Sequence, residues 1–283
     1  MHIYREKSQL QHTISRLKKE GKSIGFVPTM GALHLGHLSL VQQASKLCDT
    51  VVVSIFINPT QFDNQDDLKN YPRTMENDIT LLENLNLNLI IFTPTAFELY
   101  GERIEAEHFT FDGLENEMEG KYRTGHFNGV GTVIKKFFEI VRPDKAFFGE
   151  KDYQQLQIIK KLTLKLSFPI EIIGCPIDRE ISGLARSSRN ERLSEELRQE
   201  AAFIYDTLKG VKTKFGTENA KSLNQWVKEQ FELHPGLKLE YFEIADVSSL
   251  KTIEEVIEGG EYRAFIAAFA GDVRLIDNIA LNN

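Results

Sequence analysis

His34 and His37 stand three residues apart, with Gly36 between them, in the run Pro28-Thr29-Met30-Gly31-Ala32-Leu33-His34-Leu35-Gly36-His37. Two imidazoles at this spacing in the first turn of a helix point the same way. They can donate hydrogen bonds to phosphate oxygens as charge moves onto a leaving pyrophosphate. Gly31 and Gly36 remove side chains where the backbone turns or touches a ligand. A strand before this H-x-G-H run and a helix after it would add the free N–H groups and positive dipole of a helix N-terminus, which attract phosphate. Taken alone, the four letters leave two other readings open. One is a structural turn that matches by chance; the other is a metal pair at i, i+3, for which the chain has no matching cysteine or second histidine pair.

A second polar run, Gly183-Leu184-Ala185-Arg186-Ser187-Ser188-Arg189-Asn190, pairs two hydroxyls with an arginine suited to triphosphate oxygens. By itself it reads equally well as a solvated loop and helix cap. Beside the H-x-G-H run it reads as a lid element, and two such elements in separate domains imply hinge closure around a nucleotide. Two further glycine segments fail on context. Gly21-Lys22-Ser23 has Arg16 where a P-loop needs its leading glycine, and it precedes a strand. Gly129-Val130-Gly131 has Ile134 at the third glycine position of a dinucleotide fingerprint and no strand before it.

The elements that must position these residues follow from periodicity. Ile24–Pro28, Val51–Ile57 and Leu89–Phe92 read as strands buried on both faces, with further strands at Lys145–Phe148 and Ile170–Ile173. Leu40, Val41, Ala44, Leu47 and Cys48 form a helical stripe between the first two strands, and Met75, Ile79, Leu82 and Leu85 form another. Helices are also expected at Val133–Phe138 and Leu156–Leu166. The alternation predicts an α/β fold with a Rossmann-like parallel-sheet nucleotide-binding domain over residues 1–175. After Cys175 a helix-rich stretch from Ser194 to Phe231 precedes strand-like runs near Leu239, Ala264 and Arg274. Residues 176–283 therefore read as a smaller α+β lid domain. The segment from Asp112 to Gly129, with four glycines, many charges and no clean period, is expected to be a mobile loop.

Composition limits the partners. The chain has 283 residues and a net charge of −7, from 34 Lys+Arg against 41 Asp+Glu. A protein held mainly by nucleic-acid phosphates would be basic, so nucleic acid is not expected as a partner. The first residues lack the apolar core of a secretory signal, and no apolar run approaches the ~20 residues of a membrane span. Cys48 and Cys175 make neither a disulfide framework nor a zinc spacing. A soluble cytoplasmic protein with no membrane partner is the expectation.

Several long motifs now occur in order: the H-x-G-H run, Phe56-Ile57-Asn58-Pro59-Thr60-Gln61-Phe62, Tyr71-Pro72-Arg73-Thr74, Arg123-Thr124-Gly125-His126-Phe127-Asn128-Gly129-Val130, Arg142 to Gln155, and the Ser-Ser-Arg-Asn element. Together they closely resemble the pantothenate synthetase (pantoate:beta-alanine ligase) family, densely over residues 20 to 195. The resemblance implies ATP-dependent ligation of pantoate and beta-alanine through a pantoyl adenylate, with release of pyrophosphate and then AMP. It also implies magnesium travelling with the triphosphate, and a homodimer formed through the first domain. It puts His34 and His37 on the phosphates, with His37 stabilising the adenylation transition state and Lys151 assisting. Met30, Gly31, Ala32, Leu33, Leu35 and Gly36 would line the ATP site, as would Gly149, Glu150 and Asp152, with Gly149 and Asp152 on the ribose. Ser187, Ser188 and Arg189 would meet the outer phosphates. Asn58, Gln61 and Gln155 would hold pantoate, Gln61 would also meet beta-alanine, and Asp78 would neighbour the magnesium ion.

Three positions depart from the family pattern. Arg186 stands where an apolar residue such as methionine is common, Asp178 where a valine packs near the adenine, and Asn77 where a second acidic residue precedes Asp78. Arg186 and Asp178 nonetheless belong to the expected ATP site. Two competing functions remain to be weighed. One is another H-x-G-H nucleotidyltransferase activating a small carboxylic acid, or an aminoacyl-tRNA synthetase, against which the acidic charge and the lack of an anticodon-binding extension count. The other is a nucleotide-sensing module without catalysis.

Overall fold

The computed structural model describes residues 1–283 except Asn64, Glu258 and Asn283. The chain forms two compact units. The first comprises residues 1–115, 119–150 and 155–176; the second comprises 116–118, 151–154 and 177–283.

In the first unit, β1 (His2–Tyr4), α1 (Lys7–Lys19), β2 (Ile24–Thr29), α2 (Leu35–Leu47) and β3 (Thr50–Ile55) follow in order. Then come α3 (Gln65–Asn70), α4 (Met75–Glu83), β4 (Leu89–Phe92), α5 (Ala96–Tyr100), α6 (Glu119–Tyr122), α7 (His126–Val141) and β5 (Lys145–Gly149). Last are α8 (Tyr153–Lys165), whose first two residues belong to the second unit, and β6 (Glu171–Cys175). The six strands make one parallel sheet in the order β1-β4-β3-β2-β5-β6. Helices cover both faces, which is why β2, β3 and β4 are nearly continuous apolar runs. Phe26 on β2 meets the rings of Phe137 and Phe138 on α7, while its neighbour Val27 joins the core formed with Leu38, Val41 and Ala44 of α2. The strand order reverses between β2 and β5. In an open parallel sheet, the carboxyl ends of the two strands flanking that reversal are where ligands bind.

Three expectations need correction, the first being the stripe on α4, where Met75 is 41% exposed and Leu85 lies beyond the end of the helix. Leu47 is 53% exposed: α2 buries Leu38, Val41 and Ala44, and Leu47, six positions beyond Val41, turns away from that stripe. Residues 112–129 are not a featureless loop. They form a short 3₁₀ turn at Leu114–Asn116, helix α6 and the first turn of α7, and they bury Leu114, Met118, Glu119, His126 and Phe127. Of the glycines that obscured the helical pattern, Gly113 and Gly125 take left-handed backbone at turns, and Gly120 and Gly129 are close-contact sites. A Cβ on Gly129 would lie 2.2 Å from the Thr60 carbonyl oxygen, so only glycine lets α7 approach that backbone.

In the second unit, α9 (Glu195–Glu200), α10 (Phe203–Lys214) and α11 (Ala220–Glu232) precede β7 (Leu237–Asp246), β8 (Tyr262–Ala270) and β9 (Val273–Ala280). The three strands form an antiparallel sheet in that order. Ile204, Leu208 and Val211 of α10 and Leu223, Val227 and Phe231 of α11 share a core with Ala264, Ile266, Ala268, Val273 and Leu275, which project from one face of the sheet. Among the described residues no helix is long and apolar enough to cross a membrane. Cys48 and Cys175 are free and buried, and burial pushes the Cys175 thiol up to about 11, so it is not a nucleophile near neutral pH.

Candidate active site

The segment leaving β2 is built around a buried carboxylate. Gly31 and Ala32 both adopt left-handed backbone, with φ of 81° and 49°. For alanine this conformation is unfavourable and must be held by its surroundings. Asp78, 1% exposed on α4, does so. Its carboxylate accepts the amides of Ala32 at 3.0 Å and Leu33 at 2.8 Å, and the Thr74 hydroxyl at 3.0 Å. A Cβ on Gly31 would come within 3.1 Å of the same carboxylate, so a glycine is suited there on both counts.

This turn delivers His34 to the N-cap of α2 and His37 to its third residue. The Nδ1 atom of His34 accepts the Gly36 amide at 3.2 Å, and the Nδ1 atom of His37 receives the His34 amide at 3.4 Å. The two side chains thus form a reciprocal capping box with imidazoles in place of the usual hydroxyl and carboxylate. The rings lie 4.0 Å apart, tilted by 36°. A neutral ring whose Nδ1 accepts must carry its proton on Nε2. Both histidines are therefore in the tautomer that offers an Nε2–H donor, at the positive end of a 13-residue helix.

Beyond β3, Asn58 and Gln61 sit in a buried polar network. Asn58 donates through Nδ2 to Gln61 Oε1 at 3.1 Å and to the Gly129 carbonyl at 3.2 Å. Its Oδ1 accepts from Tyr100 at 2.6 Å and Thr60 at 3.0 Å. Both amide donors and both acceptor sites are used, and the residue is 1% exposed. Asn58 thereby orients Gln61. Burial raises the Tyr100 phenol, partly offset by the bonds to Thr60 and Asn58, so it stays a donor. Gln61 reaches the Met30 sulfur through Nε2 at 3.0 Å, which ties it to the histidine loop. The Gln61 carbonyl accepts from His126 Nδ1 at 2.8 Å, so that ring carries its proton on Nδ1, and its Nε2 faces Arg123 Nη1 at 3.3 Å.

Next to β2, β5 ends at Gly149, in register with Cys175 of β6, and Glu150 follows. Gln155 lies half-buried in the first turn of α8, its side-chain amide making no hydrogen bond among the described residues. The expected magnesium neighbour, Asp78, is committed to the loop amides and closed to solvent. Among the described residues no group of three or more His, Cys, Asp or Glu could hold a metal ion. The donor set does not fit a protein-built metal cage.

The remaining candidates lie in the second unit. The Lys151 ammonium is 3.6 Å from the exposed Asp152 carboxylate. Ser187 caps the 3₁₀ turn Ser188–Arg192 by accepting the Arg189 amide at 3.2 Å, and Ser188 and Asn190 are buried. Asn190 donates to Glu180 Oε1 and to the Ala185 carbonyl, both at 3.1 Å. Burial would raise the Glu180 carboxyl, but hydrogen bonds from Arg198 and Asn190 outweigh it and hold the group below its ordinary value. The two residues that depart from the family pattern meet: Arg186 Nε donates to Asp178 Oδ1 at 2.6 Å.

The sequence pattern of the Pantoate-beta-alanine ligase family matches residues 2–280. The chain belongs to the pantoate-beta-alanine ligase family. Relatives named pantothenate synthetase include one from Christiangramia forsetii, 60% identical over the whole of both chains, and one from Flavobacterium psychrophilum, 49% identical over 99% of this chain and all of the relative. Among solved structures, a pantothenate synthetase from Thermus thermophilus is similar with a TM-score of 0.92 at 35% identity, covering both chains completely. A pantoate-beta-alanine ligase from Francisella tularensis, solved with "Beta-gamma ATP and Beta-alanine", is similar with a TM-score of 0.82 at 35% identity, over 100% of this chain and 98% of that one. Within this ligase fold, residue patterning alone did not single out Tyr100 or give a role to His126 and Gly129. Tyr100 sits 42 positions from Asn58 with nothing local to mark it, whereas His126 and Gly129 lie in the Arg123–Val130 motif, which was the available signal.

Proposed function

We propose that this ligase joins pantoate to beta-alanine in two steps at the carboxyl end of its parallel sheet. A pantoate carboxylate oxygen attacks the α-phosphorus of ATP and the bond to the β-phosphate oxygen breaks, giving pantoyl adenylate and pyrophosphate. The beta-alanine amine then attacks the acyl carbon, the carbon–oxygen bond to AMP breaks, and the amine proton passes to solvent. A carboxylate oxygen is a poor leaving group and AMP a good one, so no covalent enzyme nucleophile is needed. The task left to the protein is positioning and charge stabilisation.

The observation that carries this reading is the stacked His34–His37 pair, with both Nδ1 atoms accepting backbone amides at the N-terminus of α2. Each ring then donates through Nε2 to phosphate oxygen, and His37 strengthens its bond as charge builds on the departing pyrophosphate. Met30, Gly31, Ala32, Leu33, Leu35 and Gly36 shape the ATP contact, with Gly149, Glu150 and Asp152 toward the nucleoside. Lys151, Ser187, Ser188 and Arg189 supply donors to the phosphates, and Asp178 and Arg186 flank them. Gln61 and Gln155 hold pantoate, Gln61 also meets beta-alanine, and Asn58 acts through Gln61. Magnesium would travel with the triphosphate and, when bound, would supply charge neutralisation. The same proposal takes the enzyme to be homodimeric, as the family resemblance implies, and cytoplasmic, as its sequence composition leads one to expect.

Pantoate labelled with oxygen-18 in its carboxylate tests the adenylate route. The account requires one labelled oxygen in the AMP released with each pantothenate formed; unlabelled AMP would exclude an acyl adenylate.

A further inference from the structure

Two adjacent β9 residues, Asp277 and Asn278, are 4% and 2% exposed and have no part in the reaction described above. Successive strand residues point to opposite faces, so the two serve different neighbours. Asn278 Nδ2 donates to the Lys151 carbonyl at 2.9 Å. Its Oδ1 accepts from Arg263 Nη1, and the Arg263 guanidinium lies 4.0 Å from the centre of the Tyr153 ring. The 151–153 segment is thereby gripped by its backbone and by an aromatic side chain.

On the other face, Asp277 takes a two-pronged pair from Arg179 at 2.6 and 2.9 Å. The same guanidinium donates to the Gly183 carbonyl at 3.0 Å and stacks 3.6 Å from the Tyr205 ring centre. Gly183 opens the run that continues into Ser187–Arg189. The Asn278 amide also donates to Asp277 Oδ1 at 2.7 Å, so the two grips share one pair of residues. Burying two arginines, a carboxylate and an amide carries a desolvation cost that an apolar sheet would avoid.

We propose that Asp277 and Asn278 are positioning residues that hold Lys151 and the Ser187–Arg189 turn at one spacing, so that both sets of donors meet the same triphosphate. This rests on the reading of those residues as ATP-binding. Misplacing such donors weakens nucleotide binding while leaving pantoate recognition by Gln61 and Gln155 alone.

The test is pantoate-dependent exchange of pyrophosphate into ATP by Asn278→Asp, which keeps the side chain's shape and its acceptor for Arg263 but cannot donate to the Lys151 carbonyl. KM for ATP should rise roughly tenfold, with KM for pantoate within about twofold, in protein that circular dichroism shows to be folded at the assay temperature. In a Lys151→Ala background the same change should add nothing to KM for ATP. An unchanged KM for ATP in folded Asn278→Asp, or an equal rise in both backgrounds, overturns the proposal. Lys151→Ala with wild-type exchange would instead overturn the ATP reading of Lys151, and the proposal with it. If Asn278→Asp does not fold, Asn278→Ser withdraws the amide without adding charge and is judged by the same criteria.

Discussion

Arg186 Nε donates to Asp178 Oδ1 at 2.6 Å, while the Arg186 amide donates to the Asp178 carbonyl at 3.0 Å. These are two of the positions at which the sequence departs from the resemblance, and they meet as a charged pair. The side chains are 23% and 33% exposed, so solvent screens the attraction and the coupling should be about 1 kcal/mol. Asp178→Val alone leaves a half-buried arginine without its partner and should lower stability and raise KM for ATP. Asp178→Val with Arg186→Met should recover most of both losses. A double-mutant cycle on melting temperature and KM for ATP checks this, and strict additivity would show that the two substitutions are independent.

His37→Ala should lower the rate of pyrophosphate release in a single turnover by about 3 kcal/mol, a hundredfold or more, because the lost donor acts where charge develops. Its effect on stability should be small, about 1 kcal/mol, the cost of an N-terminal cap acceptor. Rapid-quench measurement with saturating ATP and pantoate separates the two, and wild-type release would remove His37 from the chemistry.

Asp78→Asn tests whether this carboxylate serves the loop or the metal. Replacing one carboxylate oxygen with an amide turns an acceptor of the Ala32 or Leu33 amide into a donor facing a donor, which should destabilise the fold by about 2 kcal/mol and raise KM for ATP. The magnesium concentration giving half-maximal rate, at saturating ATP, should stay within about twofold of wild type, because only the loop is disturbed. A tenfold shift would place Asp78 on the ion.

Much of the fold is legible in local pattern. The buried runs at β2, β3, β4 and β5 announce a parallel sheet because their residues need cover on both faces, and the H-x-G-H run is intelligible once it falls between a strand and a helix. Other features require partners distant in sequence. β1 is three residues long and is paired with β4, some 88 positions away, and Gly129 and Gly131 let α7 pack closely on Thr60 and Phe109, which no local period reveals. The same holds in the site: Asn58 is bonded to Tyr100 and Gly129, and Asp78 to Ala32 and Leu33, partners 42 to 71 positions away that no local pattern marks.

Tyr100→Phe should loosen Gln61 without touching the histidine pair. Removing one buried donor to Asn58 Oδ1 costs about 1 kcal/mol, which predicts a KM for pantoate raised about fivefold and a KM for ATP unchanged. Steady-state kinetics with each substrate varied decides it; an effect on ATP alone would contradict the network described.

The most direct measurement is exchange of labelled pyrophosphate into ATP with beta-alanine left out. An enzyme that activates pantoate at the His34–His37 pair must catalyse this exchange with pantoate and magnesium present, must lose it when pantoate is withheld, and must be slowed about a hundredfold when His37 is replaced by alanine. Exchange that proceeds equally without pantoate, or no exchange with ATP, pantoate and magnesium all present, would contradict the account.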